Sequence, residues 1–152
     1  ERIKKEEAVR IAEEAKITKE ISDSELLKQK AEAQERRKRP MLKTYSLTTN
    51  FETNSYFLTQ EYKKQIKEIA EEVKKYEFKH ITIEGHTDST GTKEINKRLS
   101  RQRARSVHDE FIKAGIPVEK MSHAGFADTM SVKSNKTAEG RAANRRTEIF
   151  VE

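Results

Sequence analysis

Hydrophobic and polar positions follow two different rhythms along this chain, and the change comes at Pro40. From Glu1 to Arg39 the apolar residues fall into small groups: Ala8, Ile11, Ala12 and Ala15, then Ile17 and Ile21, then Leu26 and Leu27. The groups do not join into one stripe. Strong helix formers surround them, with no glycine or proline. The pattern predicts a long, weakly amphipathic helix, broken near Ser22 to Ser24, that needs a partner for stability. No a/d repeat is sustained, so the favoured reading is a solvated linker helix rather than a coiled coil.

Beyond Pro40 the periods become clear. Residues 44–51 are β-branched, aromatic and polar, which predicts a strand. Thr59 then precedes Tyr62, Ile66, Ile69, Ala70, Val73 and Tyr76, a threonine-capped helical face. His80 to Glu84 alternates as a short strand, and Gly85 to Gly91 reads as a loop. A helix is expected from Lys93 to Ala114, stopped by Gly115. Met121 to Phe126 reads as a strand, residues 127–137 as a polar loop, Ala138 to Asn144 as a short helix and Thr147 to Val151 as a last strand. Strands alternating with helices predict an α+β fold, an α/β sandwich with a mixed sheet of about four strands and helices packed on one face. That domain occupies 41–152, and residues 1–40 form a charged helical extension before it.

Charge supports the division. Of 152 residues 38% are charged and only 33% apolar, too few for a core spread evenly over the chain. The first 39 residues alone hold 22 charges, so the core belongs to the remainder. The absence of cysteine excludes disulfides, thiolate metal sites and cysteine nucleophiles. No apolar run of about 18 residues is present to span a bilayer, and there is no signal peptide. Any membrane attachment of the parent protein is expected through sequence outside this chain. The net charge of +6 and the run Arg36-Arg37-Lys38-Arg39 raise nucleic acid as a partner. Only +2 of that charge lies in the first 39 residues and the rest is spread over an acidic domain, so no basic stripe exists. The run reads as a solvated helix end, and no nucleic acid is expected.

One residue breaks the pattern of the Lys93–Ala114 helix. Its apolar row runs Ile95, Leu99, Val107 and Phe111, and the member between Leu99 and Val107 is Arg103. A guanidinium in that row points toward the protein body and needs a carboxylate, carbonyls or a ligand. Asn96 shares its face. The loop Gly85-His86-Thr87-Asp88-Ser89-Thr90-Gly91 enters this helix, and loop amides at a helix start favour an anion. Spacing allows two readings. Asp88 and Arg103 pair with each other, or they are set to take the ammonium and the carboxylate of a zwitterion.

The stretch Ile83-Glu84-Gly85-His86-Thr87-Asp88, then Gly91, then Asn96 to Val107 resembles the OmpA-like C-terminal domain. So does the late run from Asn135 to Arg146, with its Asn144-Arg145-Arg146. The resemblance covers residues 44–152. It implies noncovalent binding of peptidoglycan in the Gram-negative periplasm, through the diaminopimelate of the stem peptide. By that resemblance Asp88 takes the ligand ammonium and Arg103 its carboxylate. Thr87, Asn96 and Leu99 match positions lining the same pocket, and Asn54 matches a further one. Arg145 either reaches the site or braces the last strand. The chain departs from the family pattern at Glu52, where many members carry Asp, and at Ser131, where many carry proline. The implied role is to anchor a cell-envelope protein or machine to the wall. Scaffolding or self-association through residues 1–40 is the alternative.

Other chemistry finds no pattern. Gly85 and Gly91 are spaced wrongly for a phosphate loop. His80, His86, His108 and His123 lack metal-ligand spacing, and no nucleophile elbow is present. No metal, no cofactor and no catalysis are expected.

Overall fold

A computed structural model gives the architecture and describes residues 4–10, 23–48 and 58–152. The elements in chain order are helical residues 4–10 (α1), α2 (Asp23–Arg37), β1 (Lys43–Thr48), α3 (Gln60–Val73), β2 (Ile81–His86), α4 (Lys93–Lys113), a 3₁₀ turn (Val118–Lys120), β3 (Met121–Gly125), α5 (Ala138–Asn144) and β4 (Arg146–Val151). The four strands form one mixed sheet in the order β1-β4-β2-β3. β4 runs antiparallel to both β1 and β2, while β2 and β3 are parallel and joined through α4. This is the expected α+β fold. Gly85 and His86, read as loop from sequence, complete β2. The expected strand over 44–51 is seen over Lys43–Thr48, its last three positions lying outside the described residues.

Local chemistry explains the helix starts. Thr59, Thr92 and Thr137 each sit in extended conformation and accept a hydrogen bond from the amide three residues on. Each thereby satisfies one orphan donor of its helix, typically worth about 1 kcal/mol.

Alternation along the strands sorts residues to two unlike faces. One face carries Leu47, Ile81, Ile83, Met121, Ile149 and Val151, packed against Tyr62, Ile66, Ala70 and Val73 of α3 and Ala104, Val107 and Phe111 of α4. Burying each large apolar side chain there contributes roughly 1.5–3 kcal/mol. Gly85 and Gly125 are paired across β2 and β3, and α4 lies directly on them. A Cβ at Gly85 would strike the Ser100 carbonyl, and one at Gly125 the Arg101 amide nitrogen. The close approach brings the start of α4 to the ends of these strands.

The opposite face carries Thr82, Glu84, His86, Arg146, Glu148 and Phe150, and α2 packs on it. Leu26 and Ala33 of α2 are buried against Phe126. Arg36 donates to Glu84 at 2.8 Å, and Arg37 reaches both Glu84 (2.7 Å) and Glu148 (3.0 Å). Both guanidiniums also lie over the Phe150 ring, at 6.0 and 5.0 Å from its centroid. The reading of this segment as a solvated linker ending in a solvated basic run is therefore corrected. Its two buried apolar residues are too few to make a stripe, and its docking is carried by arginines that pair with carboxylates far along the chain. Lys38 and Arg39 do behave as a surface helix end, pairing with Glu35 and Glu152.

Candidate functional site: a carboxylate and two arginines at the end of β2

The chain leaves β2 at His86, turns through Thr87 to Gly91 and enters α4. The Thr87 amide donates to the Ala127 carbonyl at 2.9 Å, and the Ala127 amide donates to Ser100 Oγ at 2.9 Å. Ala127 has φ 52°, a left-handed conformation that costs an alanine about 1–2 kcal/mol, so the loop is pinned through a strained residue. Asp88 Oδ1 accepts the Thr90 amide at 2.8 Å, a local turn that aims the other carboxylate oxygen inward.

Asp88 Oδ2 accepts from Arg145 Nη1 at 2.7 Å. Arg103 is 1% exposed, and its Nη1 donates to the His86 carbonyl at 3.3 Å. Spacing had offered Arg103 as the ion-pair partner of Asp88. The direct pair is made by Arg145, whose side chain lines the same recess as Asp88. Thr87, Asp88, Thr90, Asn96, Leu99, Arg103 and Arg145 line one narrow recess of ≈ 10 Å³, room for about one water-sized group. Five expected residues thus meet with Arg145, and Thr90 joins them. The Asp-x-Thr-Gly turn signature after Thr87 was the available sign of Thr90. Asn54 lies outside the described residues.

Two guanidiniums and one carboxylate leave the recess with a net positive charge. Burial pushes the Asp88 carboxyl up, but the Arg145 guanidinium and the Thr90 amide more than offset this and hold it below the usual range. Burial, reinforced by the neighbouring Arg145 charge, lowers Arg103 to about 10, so it remains protonated at neutral pH. Thr87 Oγ1 and Arg145 Nε are buried without a hydrogen-bond partner among the described residues. Buried polar atoms left open at a charged recess mark where a ligand's own polar groups fit.

Two other places were candidates by composition. A larger cleft of ≈ 500 Å³ runs between α1, α3 and α4, but Arg10 and Asp109 on its walls already pair at 3.3 Å. Glu84, His86 and Glu148 could hold a metal by proximity. Their carboxylates instead accept from Arg36, Arg37 and Arg146, whose charges occupy the space a cation would need.

Known proteins share this frame. The chain is 40% identical over 97 residues to outer membrane protein Omp38 of Acinetobacter baumannii, covering 63% of this chain and 27% of that protein. It is 40% identical over 83 residues to peptidoglycan-binding protein ArfA of Mycobacterium tuberculosis, covering 55% of this chain and 26% of that one. The chain spans about a quarter of the length of the curated relatives it matches. The solved cell wall anchor of the T6SS from Pseudomonas aeruginosa superposes with a TM-score of 0.65 at 25% identity, covering 86% of this chain and 96% of that one. The family model described as the OmpA family matches residues 50–145, which include Asp88, Asn96, Arg103 and Arg145. With most of its length inside that match, its fold shared and its recess built from matched residues, the chain belongs to the OmpA family.

Proposed function

We propose that this domain binds peptidoglycan noncovalently by gripping the side-chain end of diaminopimelate, and so anchors its parent envelope protein to the wall from the periplasm. The observation that carries the reading is one recess with a carboxylate on one wall, the buried Arg103 and half-buried Arg145 guanidiniums on the others and a Thr87 hydroxyl with no partner among the described residues. A side chain ending in both an ammonium and a carboxylate matches that layout. Asp88 takes the ammonium, and Arg103 takes the carboxylate in charge-assisted contacts. Arg145, on the rim with its side chain 20% exposed, yields part of Asp88 to the incoming ammonium and stays beside the carboxylate. Asn96 and Leu99 shape the wall, and Asn54, outside the described residues, is carried as a further lining residue on sequence resemblance alone. The likeness to peptidoglycan-binding protein ArfA and to the secretion-system cell wall anchor supports peptidoglycan as the ligand and wall anchoring as the role.

Pull-down on purified sacculi tests this. Wild type should be retained, while Asp88→Ala and Arg103→Ala should be released, each losing roughly 2–5 kcal/mol of a desolvated charge contact. Stem peptides carrying lysine in place of diaminopimelate lack the carboxylate, and in calorimetry they should bind far more weakly. Equal retention of all three proteins would remove the recess as the site.

A further inference from the structure

Helix α2 lines no part of the recess, yet it contacts α4, β2, β4 and Phe126, which carry or adjoin the recess residues. At its first residue, Asp23 Oδ1 accepts from Lys97 at 2.7 Å, and Oδ2 pairs with Lys93 at 2.9 Å. Lys97 follows Asn96 in the first turns of α4 and is itself only 6% exposed. Midway, Leu26 and Ala33 cover Phe126, and the next residue, Ala127, receives the Thr87 amide. At the far end Arg36 and Arg37 hold Glu84, four residues before Asp88 on the same strand and loop. Arg37 also holds Glu148, which lies opposite Glu84 in register and accepts from Arg146, the neighbour of Arg145.

These contacts form a back-plate. The front of each wall supplies a recess residue, and the rear is fixed to one helix by charges. The fixation is itself finely balanced. A carboxylate sealed at 0% exposure forfeits hydration, and two guanidiniums return much of what is lost, so buried pairs of this kind add little net stability while depending strongly on both partners. A helix held in this way is one whose docking a ligand can shift.

We propose that α2 is a positioning element of the wall-ligand site: its arginine clamp on Glu84 and Glu148 and its Asp23 contact with Lys97 hold Thr87, Asp88, Asn96, Arg103 and Arg145 in binding geometry. Ligand binding and α2 docking then favour each other by the same factor, as linkage requires. The inference rests on the diaminopimelate reading for its ligand arm and on the fold alone for its ligand-free arm.

The test uses the whole chain, with meso-diaminopimelate tripeptide as the probe. The variants are Arg36→Gln/Arg37→Gln, the charge-conserving Arg36→Lys/Arg37→Lys, and Asp23→Asn at the opposite end of the helix. Calorimetry should show affinity falling about tenfold in the glutamine double variant, within the roughly 5–150-fold span of ordinary coupling, and less in the lysine pair and in Asp23→Asn. Hydrogen exchange should show that the probe slows exchange in residues 26–37 of the wild type, a segment that touches no ligand. A merely structural cover would give neither result. Without any probe, the Thr87 amide should exchange faster in Asp23→Asn and in the glutamine variant than in wild type. If wild type fails to bind the probe, the function reading falls, and faster Thr87 exchange still supports the positioning role. If the glutamine variant fails to fold, Asp23→Asn carries both measurements. Unchanged Thr87 exchange, or unchanged affinity in a variant whose residues 26–37 exchange freely, overturns the proposal.

Discussion

Glu84 and Asp88 lie four residues apart on one strand and its loop, each held by arginine, and the contrast between them shows what separates a structural ion pair from a recognition site. Glu84 has no exposure and is held by two arginines from a distant helix, with His86 Nε2 also within 3.4 Å. Asp88 is 4% exposed, but its one arginine sits on the rim. The same chemistry gives a permanent clamp where the pair is doubled and sealed, and an exchangeable contact where it is single and open on one side. Arg145 and Arg146 repeat the contrast where α5 hands over to β4. Arg145, the cap residue after α5, joins the recess, and Arg146, the first residue of β4, joins the clamp on the back face.

The most severe way to break this comparison is to remove each carboxylate. Glu84→Ala leaves Arg36 without its partner carboxylate and Arg37 with only Glu148, and should cost roughly 3–5 kcal/mol in urea unfolding. Asp88→Ala should cost about 1 kcal/mol of stability while abolishing retention on sacculi. If both variants lose stability equally, the two carboxylates do not differ in role as argued.

Acid separates the two faces from a third place. His123 is pushed down to about 4 by burial first, and then by His108, Arg101 and Arg105, against an unfolded value of 6.5. Between those values the unfolded chain holds a proton that the folded chain does not, so stability falls as pH drops from 6.5 to 4 and then levels off, by roughly 2 kcal/mol. Glu84 is lowered to about 2: burial raises it, but His86, Arg36 and Arg37 outweigh that. Its contribution is present above 4.5 and lost only as pH falls from there toward 2. Thermal melts across this range should therefore show two descents. His123→Phe should shrink the upper one, the remainder belonging to His86, which burial likewise holds below 6.5, and leave the lower.

Arg145→Ala sharpens the comparison further. Losing a single rim-exposed pair should cost about 1 kcal/mol or less of stability. The Asp88 carboxyl should titrate higher, since the guanidinium holding it down is gone, and carboxyl-carbon NMR would follow this. An unchanged Asp88 titration would mean that Arg145 is not its principal partner in solution.

The parts of this picture legible in the chain were those with a local signature. The Thr59 cap, the apolar rows of α3 and α4 and the misfit of Arg103 in its row are visible because helix periodicity displays them. The back face was not legible. Leu26 and Ala33 are too few to show a buried stripe, and Arg36 finds Glu84 across a gap of 48 residues that no window of sequence spans. Whether Arg145 lines the recess was equally hidden, because it depends on how the chain turns from α5 into β4. Family resemblance supplied Asp88, Asn96 and Leu99 as a set, which spacing alone would have left scattered.

The smallest expected effect tests the comparison within one run of four basic residues. Lys38 pairs with Glu35 at 2.9 Å, but both side chains are about 70% exposed. Water and salt screen such a pair, and ordering two long side chains offsets much of its attraction, so Lys38→Ala should change stability by no more than about 0.5 kcal/mol. Arg37, one residue earlier, pairs with a carboxylate that has no exposure and a second that is mostly buried. Arg37→Ala leaves those charges without that guanidinium and should cost several times more, roughly 3 kcal/mol. Raising salt should narrow the Lys38 effect and leave the Arg37 effect nearly intact, because screening acts on exposed charges. Two equal, salt-sensitive losses in urea unfolding would return the whole basic run to the solvated helix end that its sequence suggested.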